Sequence, residues 1–325
     1  MREDSFSAFD ALLAGGRSDP WTHEAGQPQS YAPDYELLGR LLTVSVRAGD
    51  ASESGRFAKG IDAWLAAEFR RAGFAAAEVW PRATRPRVLP RDVAVLLDKL
   101  PRALAEEVRR RLPSISAVGP SDARVLGRAY DKQVDVCIAR WDRGPELLVS
   151  TKAMVSSFAK NLPNRFEEAY GDAGNLLGRY PLAAVGFFFV QRSTILTQDP
   201  AAFERTIDMM RKLRAEPVGF GGTVGFGGTG GIGGIGGIGY TATGLALVAW
   251  EDGDDAEVSI DVTAVPEDLR PARFLAMLVD RILAVTPVSH HVAVRSLRER
   301  RQIPVAEDGE DADDDGQGDG GAALF

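Results

Sequence analysis

Two apolar segments joined by a polar turn constrain the fold of this chain more than any other feature. The stretch VDVCIARWDRGPELLVSTK, residues 134–152, is rich in β-branched residues, which predicts a hairpin with strands at 134–140 and 146–151. A charged group interrupts each apolar pattern: Asp135 near the beginning of the first segment and Lys152 at the end of the second. Burial of an unpaired charge costs several kcal/mol, so we expect both groups to be paired, hydrated or bound to a metal.

The length of the turn decides which residues of the two strands face each other. A two-residue turn at 143–144 places Asp135 opposite Lys152, and a four-residue turn at 141–144 places it opposite Ser150. Directly paired residues of an antiparallel hairpin share a face, so Asp135, Ser150 and Lys152 project from one side in both cases. A turn with an odd number of residues would break this arrangement, and the sequence leaves that alternative open.

The order of the predicted elements indicates an α/β fold with a mixed β-sheet flanked by helices. After the hairpin, a helix at 163–177 leads to a fully buried strand at 182–191. The other predicted helices are 35–48, 60–74, 92–112 with a break at Pro101, 199–214 and 266–285, and the other predicted strands are 124–130, 240–250 and 257–262. The predicted regions are a helical N-terminal part packed on the core (1–112), an α/β core with a flexible glycine-rich loop (113–301, loop 219–239) and a disordered acidic tail (302–325).

Composition limits the classes of protein to which the chain can belong. Of its 325 residues, 45% are hydrophobic, which is ordinary for a globular protein. No apolar run approaches the ~20 residues that a membrane helix needs, and the N-terminal residues show no signal-peptide pattern. Cys137 is the only cysteine, which excludes an internal disulfide and a cysteine-based zinc site. We therefore expect a cytoplasmic protein with no membrane partner.

The charges are distributed unevenly along the chain. Residues 302–325 contain eight acids and no Lys or Arg, which accounts for the whole formal charge of −8. Elsewhere, arginines cluster at 82–91, 109–111 and 295–301, a pattern that suits a polyanion but also solvated helix faces. Only six lysines are present, and three of them lie between 132 and 160. Because Arg cannot replace Lys in proton chemistry, this distribution hints at a requirement for lysine.

The helix after the hairpin offers two acids that could reach the sheet. Its apolar stripe, which should face the sheet, consists of Phe166, Tyr170, Ala173 and Leu177. Glu167 lies at the edge of this stripe, whereas Glu168 points almost directly away from it. We therefore prefer Glu167 as the acid near the hairpin and expect Glu168 to form surface pairs.

Together these segments resemble the core of the PD-(D/E)XK nuclease superfamily, which includes many restriction endonucleases. The "VD" at 134–135 matches the first motif, and "STK" at 150–152 occupies the acid-x-Lys position with Ser150 in place of the acid. A subclass of type II restriction endonucleases is similar in this departure, since it has S-x-K and carries its second carboxylate on the following helix. The resemblance covers about residues 120–192 and implies a restriction-endonuclease-like fold.

The resemblance implies a Mg²⁺-dependent DNA endonuclease. Asp135 and Glu167, with Glu168 as the alternative, would hold the ion, and Lys152 would orient the attacking water or stabilise negative charge. Four residues near the beginning of the helix are the candidate contacts to DNA phosphate: Lys160, Asn161, Asn164 and Arg165. The expected partners are double-stranded DNA, a second copy of the chain in a homodimer, and a cognate methyltransferase encoded nearby.

Other readings of the same residues remain open. The charged set can be a buried Asp–Lys ion pair without catalysis, on a DNA-binding or regulatory protein of the same fold. The acidic tail and the glycine-rich loop can instead mediate assembly, or the tail can shield a basic groove. The loop lacks the fixed glycine pattern of a nucleotide-binding loop, and adjacent His290 and His291 point to different sides, so they are not expected to share a metal.

Overall fold

The computed structural model describes residues 4–15, 18–23, 29–49, 55–115, 117–214 and 239–304. The predicted glycine-rich loop lies outside these residues except for Gly239. The predicted acidic tail lies outside them from residue 305 onward.

The described residues form ten strands and ten α-helices. The strands are β1 (Trp21–Thr22), β2 (Ser30–Tyr31), β3 (Val79–Trp80), β4 (Ala123–Leu126), β5 (Asp131–Val134), β6 (Val136–Arg140), β7 (Gly144–Met154), β8 (Ala184–Arg192), β9 (Ala242–Ala249) and β10 (Ser259–Asp261). The helices are α1 (Asp10–Leu13), α2 (Tyr35–Arg47), α3 (Arg56–Arg71), α4 (Arg91–Lys99), α5 (Arg102–Arg111), α6 (Phe158–Leu177), α7 (Ile195–Gln198), α8 (Pro200–Leu213), α9 (Pro271–Val285) and α10 (Val292–Glu299).

A mixed six-stranded sheet, in the order β10-β9-β8-β7-β6-β3, forms the centre of the fold. The pairs β7–β8 and β8–β9 are parallel, and the remaining pairs are antiparallel. The parallel connections pass through α6 and through α7–α8, as expected because parallel neighbours need long crossovers. The predicted α/β class with a mixed sheet is confirmed.

Helices cover both faces of the sheet, and the side chains of β8 alternate between them. Phe188 packs against Trp64 of α3, whereas Phe187 and Phe189 pack against Phe166 of α6. Helices α2 and α9 share the first face with α3, and α8 shares the second with α6. A strand buried on both faces reads as a continuous apolar run. The predicted buried strand is confirmed as β8, but it begins at Ala184, and Leu182, inside the predicted bounds, is 63% exposed.

Two predicted elements are divided in the structure. The predicted helix at 92–112 forms α4 and α5, which separate at Leu100 and Pro101 because proline cannot continue the hydrogen bonding of α4. The predicted strands at 124–130 and 134–140 are wrong in their bounds. Residues 123–134 form a separate two-stranded hairpin, β4–β5, and only β6 joins the large sheet.

No helix in the described part of the chain combines the length and the apolar character that crossing a bilayer would need.

Candidate functional site

Strands β6 and β7 pair in one of the two registers that the sequence predicted. Val136 lies opposite Val149, the register expected for a four-residue turn, which brings Asp135 next to Ser150. The turn itself contains only the three residues 141–143, because Arg140 already pairs with Gly144. A bulge after Ile138 compensates for the odd number of turn residues, since it inserts one extra residue into the pairing.

Asp135 lies in the gap between β5 and β6. Its backbone N–H donates to the carbonyl of Val149 (3.0 Å), and its Oδ2 accepts the backbone N–H of Thr151 (2.9 Å). The Asp135 side chain therefore accepts the N–H of Thr151, which lies beyond the last β6 residue that pairs with β7. This bond fixes the Asp135 carboxylate at the end of the hairpin opposite to the turn.

A second carboxylate, Asp62 of α3, lies close to Asp135. Its Oδ1 accepts the hydroxyl of Thr151 (2.6 Å), and its Oδ2 lies 3.1 Å from Nζ of Lys59. Asp62 is fully buried because α3 is enclosed by the sheet on one side and by helices α2 and α9 on others. Sequence reasoning assigned no role to Asp62, although an acid beside Ile61 and Trp64, which were predicted to lie on the apolar side of this helix, was the available signal.

The two carboxylates influence each other's protonation. Burial, followed by the nearby charge of Asp135, raises the pKa of Asp62 to about 7, against the opposing effect of Lys59 and the Thr151 hydroxyl. Burial also raises the pKa of Asp135, opposed by the Thr151 N–H, Lys59 and Lys152. For Lys59, burial lowers the pKa, but Asp62 and Asp135 outweigh it and the net shift is upward. The site is thus a pair of acids, with Asp62 buried and Asp135 half-buried, that nearby lysines partly neutralise.

Lys152 connects this pair to helix α6. Its Nζ lies 2.9 Å from Oε1 of Glu168, which also lies 3.5 Å from Nζ of Lys132 on β5. Lys132 in turn pairs with Asp172 at 2.5 Å. Hydrogen bonding and charge from Lys152 and Lys132 outweigh the burial of Glu168 and lower its pKa. Lys152 is therefore paired with a helix acid, and its charge also acts on the Asp135 carboxylate.

The preference for Glu167 over Glu168 is wrong, because α6 directs Glu168, and not Glu167, towards Lys152. The buried stripe of α6 consists of Phe158, Leu162, Phe166, Ala169, Ala173 and Leu176. Tyr170, which was expected in the stripe, is 64% exposed, and Glu167 is exposed with no ion pair among the described residues. The cause is the β4–β5 hairpin, which covers the line of polar residues that was expected to face solvent and turns Glu168 towards the lysines.

The candidate DNA-binding residues lie inside α6, because the helix begins at Phe158 and not near Pro163. Lys160, Asn161 and Asn164 are exposed in its first two turns, and Arg165 is half-buried, 3.7 Å from Glu168. Pro163 occupies an interior position, where its missing N–H leaves one helical hydrogen bond unmade. The exposed three are available to a ligand, whereas Arg165 supports Glu168.

Ser150, which replaces the acid of the usual motif, is only 3% exposed. It lies on the α6 face of β7, between Leu148 and Lys152. Among the described residues, no hydrogen bond uses the Ser150 hydroxyl. The structure therefore places Ser150 between Asp135 and Lys152, as predicted, but Ser150 does not bond to either of them.

The arginine clusters are largely paired within the protein. Arg87 is buried against Asp4 and Asp10, and Arg109 pairs with Asp98. Further pairs are Arg91–Glu78, Arg110–Glu107, Arg111–Glu107, Arg298–Asp280 and Arg301–Glu299. These contacts favour the interpretation of the clusters as structural and surface ion pairs over that of a ready polyanion-binding surface.

The described residues contain no group of three or more His, Cys, Asp or Glu side chains arranged to hold a metal. Asp62 and Asp135 are a pair, and the expected pair of Asp135 and Glu167 is not formed, because Glu167 faces away. His290 and His291 do not share a site: Nε2 of His291 lies 3.1 Å from Oε1 of Glu146, at the turn end of the hairpin.

Comparison of the chain with protein-family models, curated proteins and solved structures gives no match in any of the three. Any function of the chain must therefore be inferred from the geometry of the site itself.

Proposed function

We propose that the chain is a Mg²⁺-dependent DNA endonuclease of the restriction type, on a restriction-endonuclease-like core of the PD-(D/E)XK kind. The observation that carries the proposal is the pair formed by the buried Asp62 and the half-buried Asp135, both held by Thr151 of β7, which Lys152 follows directly in the sequence. The order of elements supports it: an Asp before β6, Ser-x-Lys in β7, then α6 and the buried strand β8.

The oxygen atoms of this pair suit Mg²⁺, which is commonly bound through one or two carboxylates together with water and substrate phosphate. Asp62 and Asp135 would hold the ion, in place of the Asp135–Glu167 pair expected from the sequence. Burial and, after it, repulsion from Asp135 raise the pKa of Asp62, and a bound cation would offset both effects by stabilising the carboxylate. When bound, Mg²⁺ would supply activation of a water and stabilisation of charge on the phosphate.

The remaining residues bind, orient and balance charge. Lys152 would place its ammonium against the negative charge that develops on the phosphate or orient the attacking water. Glu168 holds the Lys152 ammonium at 2.9 Å and so fixes its direction. Lys160, Asn161 and Asn164 would contact phosphates of double-stranded DNA. A homodimer would cut both strands of a symmetric site, and a cognate methyltransferase would protect it.

A second candidate function is a non-catalytic DNA-binding or regulatory protein on the same fold. Lys59 favours it, because its ammonium already lies 3.1 Å from Asp62 and partly neutralises the pair without a metal. In this reading the cluster is a buried ion network, and the exposed residues of α6 bind DNA without cleavage.

Plasmid cleavage with Mg²⁺, on modified and unmodified DNA, separates the two candidates. The endonuclease predicts cleavage that is lost in Asp135→Asn and Asp62→Asn but kept in Glu146→Gln, a control acid in the same hairpin. Removal of a metal ligand removes several kcal/mol of transition-state stabilisation, on the order of 10³-fold or more. DNA binding by the wild type without cleavage on any DNA would favour the second candidate.

A further inference from the structure

The middle residue of the Ser-x-Lys segment contacts both carboxylates of the candidate site. The backbone N–H of Thr151 donates to Oδ2 of Asp135 (2.9 Å), and its hydroxyl donates to Oδ1 of Asp62 (2.6 Å). One residue in the interior of β7 thus ties together an acid from α3 and an acid beside β6, two segments that lie far apart in the sequence.

We propose that Thr151 is a positioning residue that sets the spacing and direction of Asp62 and Asp135 for a divalent cation. The inference rests on the proposed function and deepens it, because it identifies what holds the two carboxylates together in a segment that lacks the usual acid. The acid missing at Ser150 is replaced by Asp62, which reaches the site through the Thr151 hydroxyl.

Thr151 binds one oxygen of each carboxylate, so the other oxygen of each carboxylate has no bond to Thr151. Oδ2 of Asp135 and Oδ1 of Asp62 are used by Thr151, so Oδ1 of Asp135 and Oδ2 of Asp62 remain. Lys59 lies 3.1 Å from Oδ2 of Asp62 and now supplies the positive charge there. Asp62 and Asp135 would hold a divalent cation, while Thr151 fixes one oxygen of each carboxylate.

Threonine orients the two carboxylates better than valine, serine or alanine would. Its β-branched side chain has few rotamers in a strand, so the hydroxyl direction is fixed by the backbone. Thr151 is 5% exposed, which excludes most of the water that would otherwise compete for the Asp62 oxygen. Valine would keep the shape and lose the donor, and serine would keep the donor and lose the branch. Alanine differs from serine only in lacking the hydroxyl.

The matched control is Thr243, a buried threonine of β9 in the same sheet. It is 1% exposed, and its hydroxyl donates to the carbonyl of Met210 at 2.9 Å. Thr243→Val therefore removes a comparable buried hydrogen bond away from the two carboxylates. Loss of stability is expected in both valine variants, and only the Thr151 variant should change cation binding.

The experiment measures Mn²⁺ binding to the full chain by EPR, with thermal unfolding in parallel. Removal of a group that orients a metal ligand costs about 10- to 100-fold in affinity, so we expect that loss in Thr151→Val and Thr151→Ala. Thr151→Ser should bind within a few-fold of the wild type, and Thr243→Val should bind equally well. If Thr151→Val does not fold, the Ser and Ala variants carry the test, because they differ only in the hydroxyl.

Each result decides between named outcomes. Equal affinity in Thr151→Ser and Thr151→Ala, while Asp135→Asn loses binding, would overturn the positioning role and leave the proposed function standing. Wild-type binding with the expected Ser–Ala difference but no DNA cleavage would overturn the endonuclease and keep the positioning role. Absence of Mn²⁺ binding to the wild type would overturn both.

Discussion

Each end of the β6–β7 hairpin holds a pair of acids, but the two pairs are neutralised by different cations. At the turn end, Glu78 and Glu146 are 4% and 8% exposed. Their partners are Arg91, Arg140, Arg143 and His291. At the other end, Lys59 lies 3.1 Å from Asp62, and the charges of Lys59, Lys152 and Lys132 all act on Asp135. We call these the arginine end and the lysine end.

The difference follows from the chemistry of the two cations. A guanidinium is always charged and binds carboxylates through a planar fork, so the arginine end forms a permanent connection between β3, β7 and the segment before α10. An ammonium is a compact point charge on a flexible stem, and it can be moved aside or take part in proton chemistry. Only the lysine end is therefore suited to exchange its cation for a ligand.

The largest expected effect is a pH dependence of stability that originates at the lysine end. The pKa of Asp62 is about 7 in the folded protein and near 3.8 when unfolded, so the folded state binds more protons between these values. Stability without metal should therefore fall as the pH rises from about 4 to about 7, by at most about 4 kcal/mol. Urea unfolding across this range should show the fall in the wild type and a smaller one in Asp62→Asn.

Thr243→Val is the control for this titration, because it perturbs the same core without removing an ionisable group. It should lower stability by a similar amount at every pH and keep the wild-type slope. If the free energy of unfolding of Asp62→Asn changed with pH as steeply as that of the wild type, Asp62 would not hold a proton at neutral pH. The two ends of the hairpin would then not differ in the protonation of their acids.

The next prediction exchanges the cation type at each end. Lys152→Arg should reduce cleavage about 100-fold, because a positioned proton-transfer or charge-stabilising group contributes about 10²–10⁴-fold and guanidinium does not replace it. Arg143→Lys, the reverse change at the turn end, should leave cleavage within a few-fold and lower stability by about 1 kcal/mol. Rates of plasmid nicking and urea unfolding measure the two effects. Equal activity of Lys152→Arg and the wild type would remove Lys152 from the mechanism.

A smaller effect is expected from the metal itself. For a dissociation constant of about 1 mM, 10 mM Mg²⁺ should stabilise the folded protein by about 1.4 kcal/mol. Asp62→Asn should lose this stabilisation, and Glu146→Gln should keep it, since the acids of the turn end are already bound to arginine. Thermal unfolding with and without Mg²⁺ is the measurement. Equal stabilisation of the wild type and Asp62→Asn would place the ion elsewhere.

The sequence predicted what depends on local pattern and missed what depends on packing. Alternation and periodicity were enough for the hairpin, for α6 as a helix and for the buried strand β8. Asp62 was missed because its approach to Asp135 depends on how α3 lies against the sheet, which the pattern of α3 does not specify. The bulge after Ile138 was not predicted either, and without it the three-residue turn would have shifted the register.

The preference for Glu167 failed for the same reason, because the packing of the β4–β5 hairpin against α6 cannot be read from the pattern of α6. Substitution of Glu168 gives the smallest expected effect. Glu168→Gln should reduce cleavage by a few-fold, because Lys152 loses the partner at 2.9 Å that orients it. Its effect on stability should stay below about 1 kcal/mol, since Glu168 is 39% exposed and solvent screens the pair. Glu167→Gln is the matched control one residue away, and its cleavage should equal that of the wild type. A greater loss in Glu167→Gln than in Glu168→Gln would mean that α6 presents the edge carrying Glu167 to the DNA. Glu167 would then be the acid that acts with Lys152, and the packing of the β4–β5 hairpin against α6 would not explain the choice between the two glutamates.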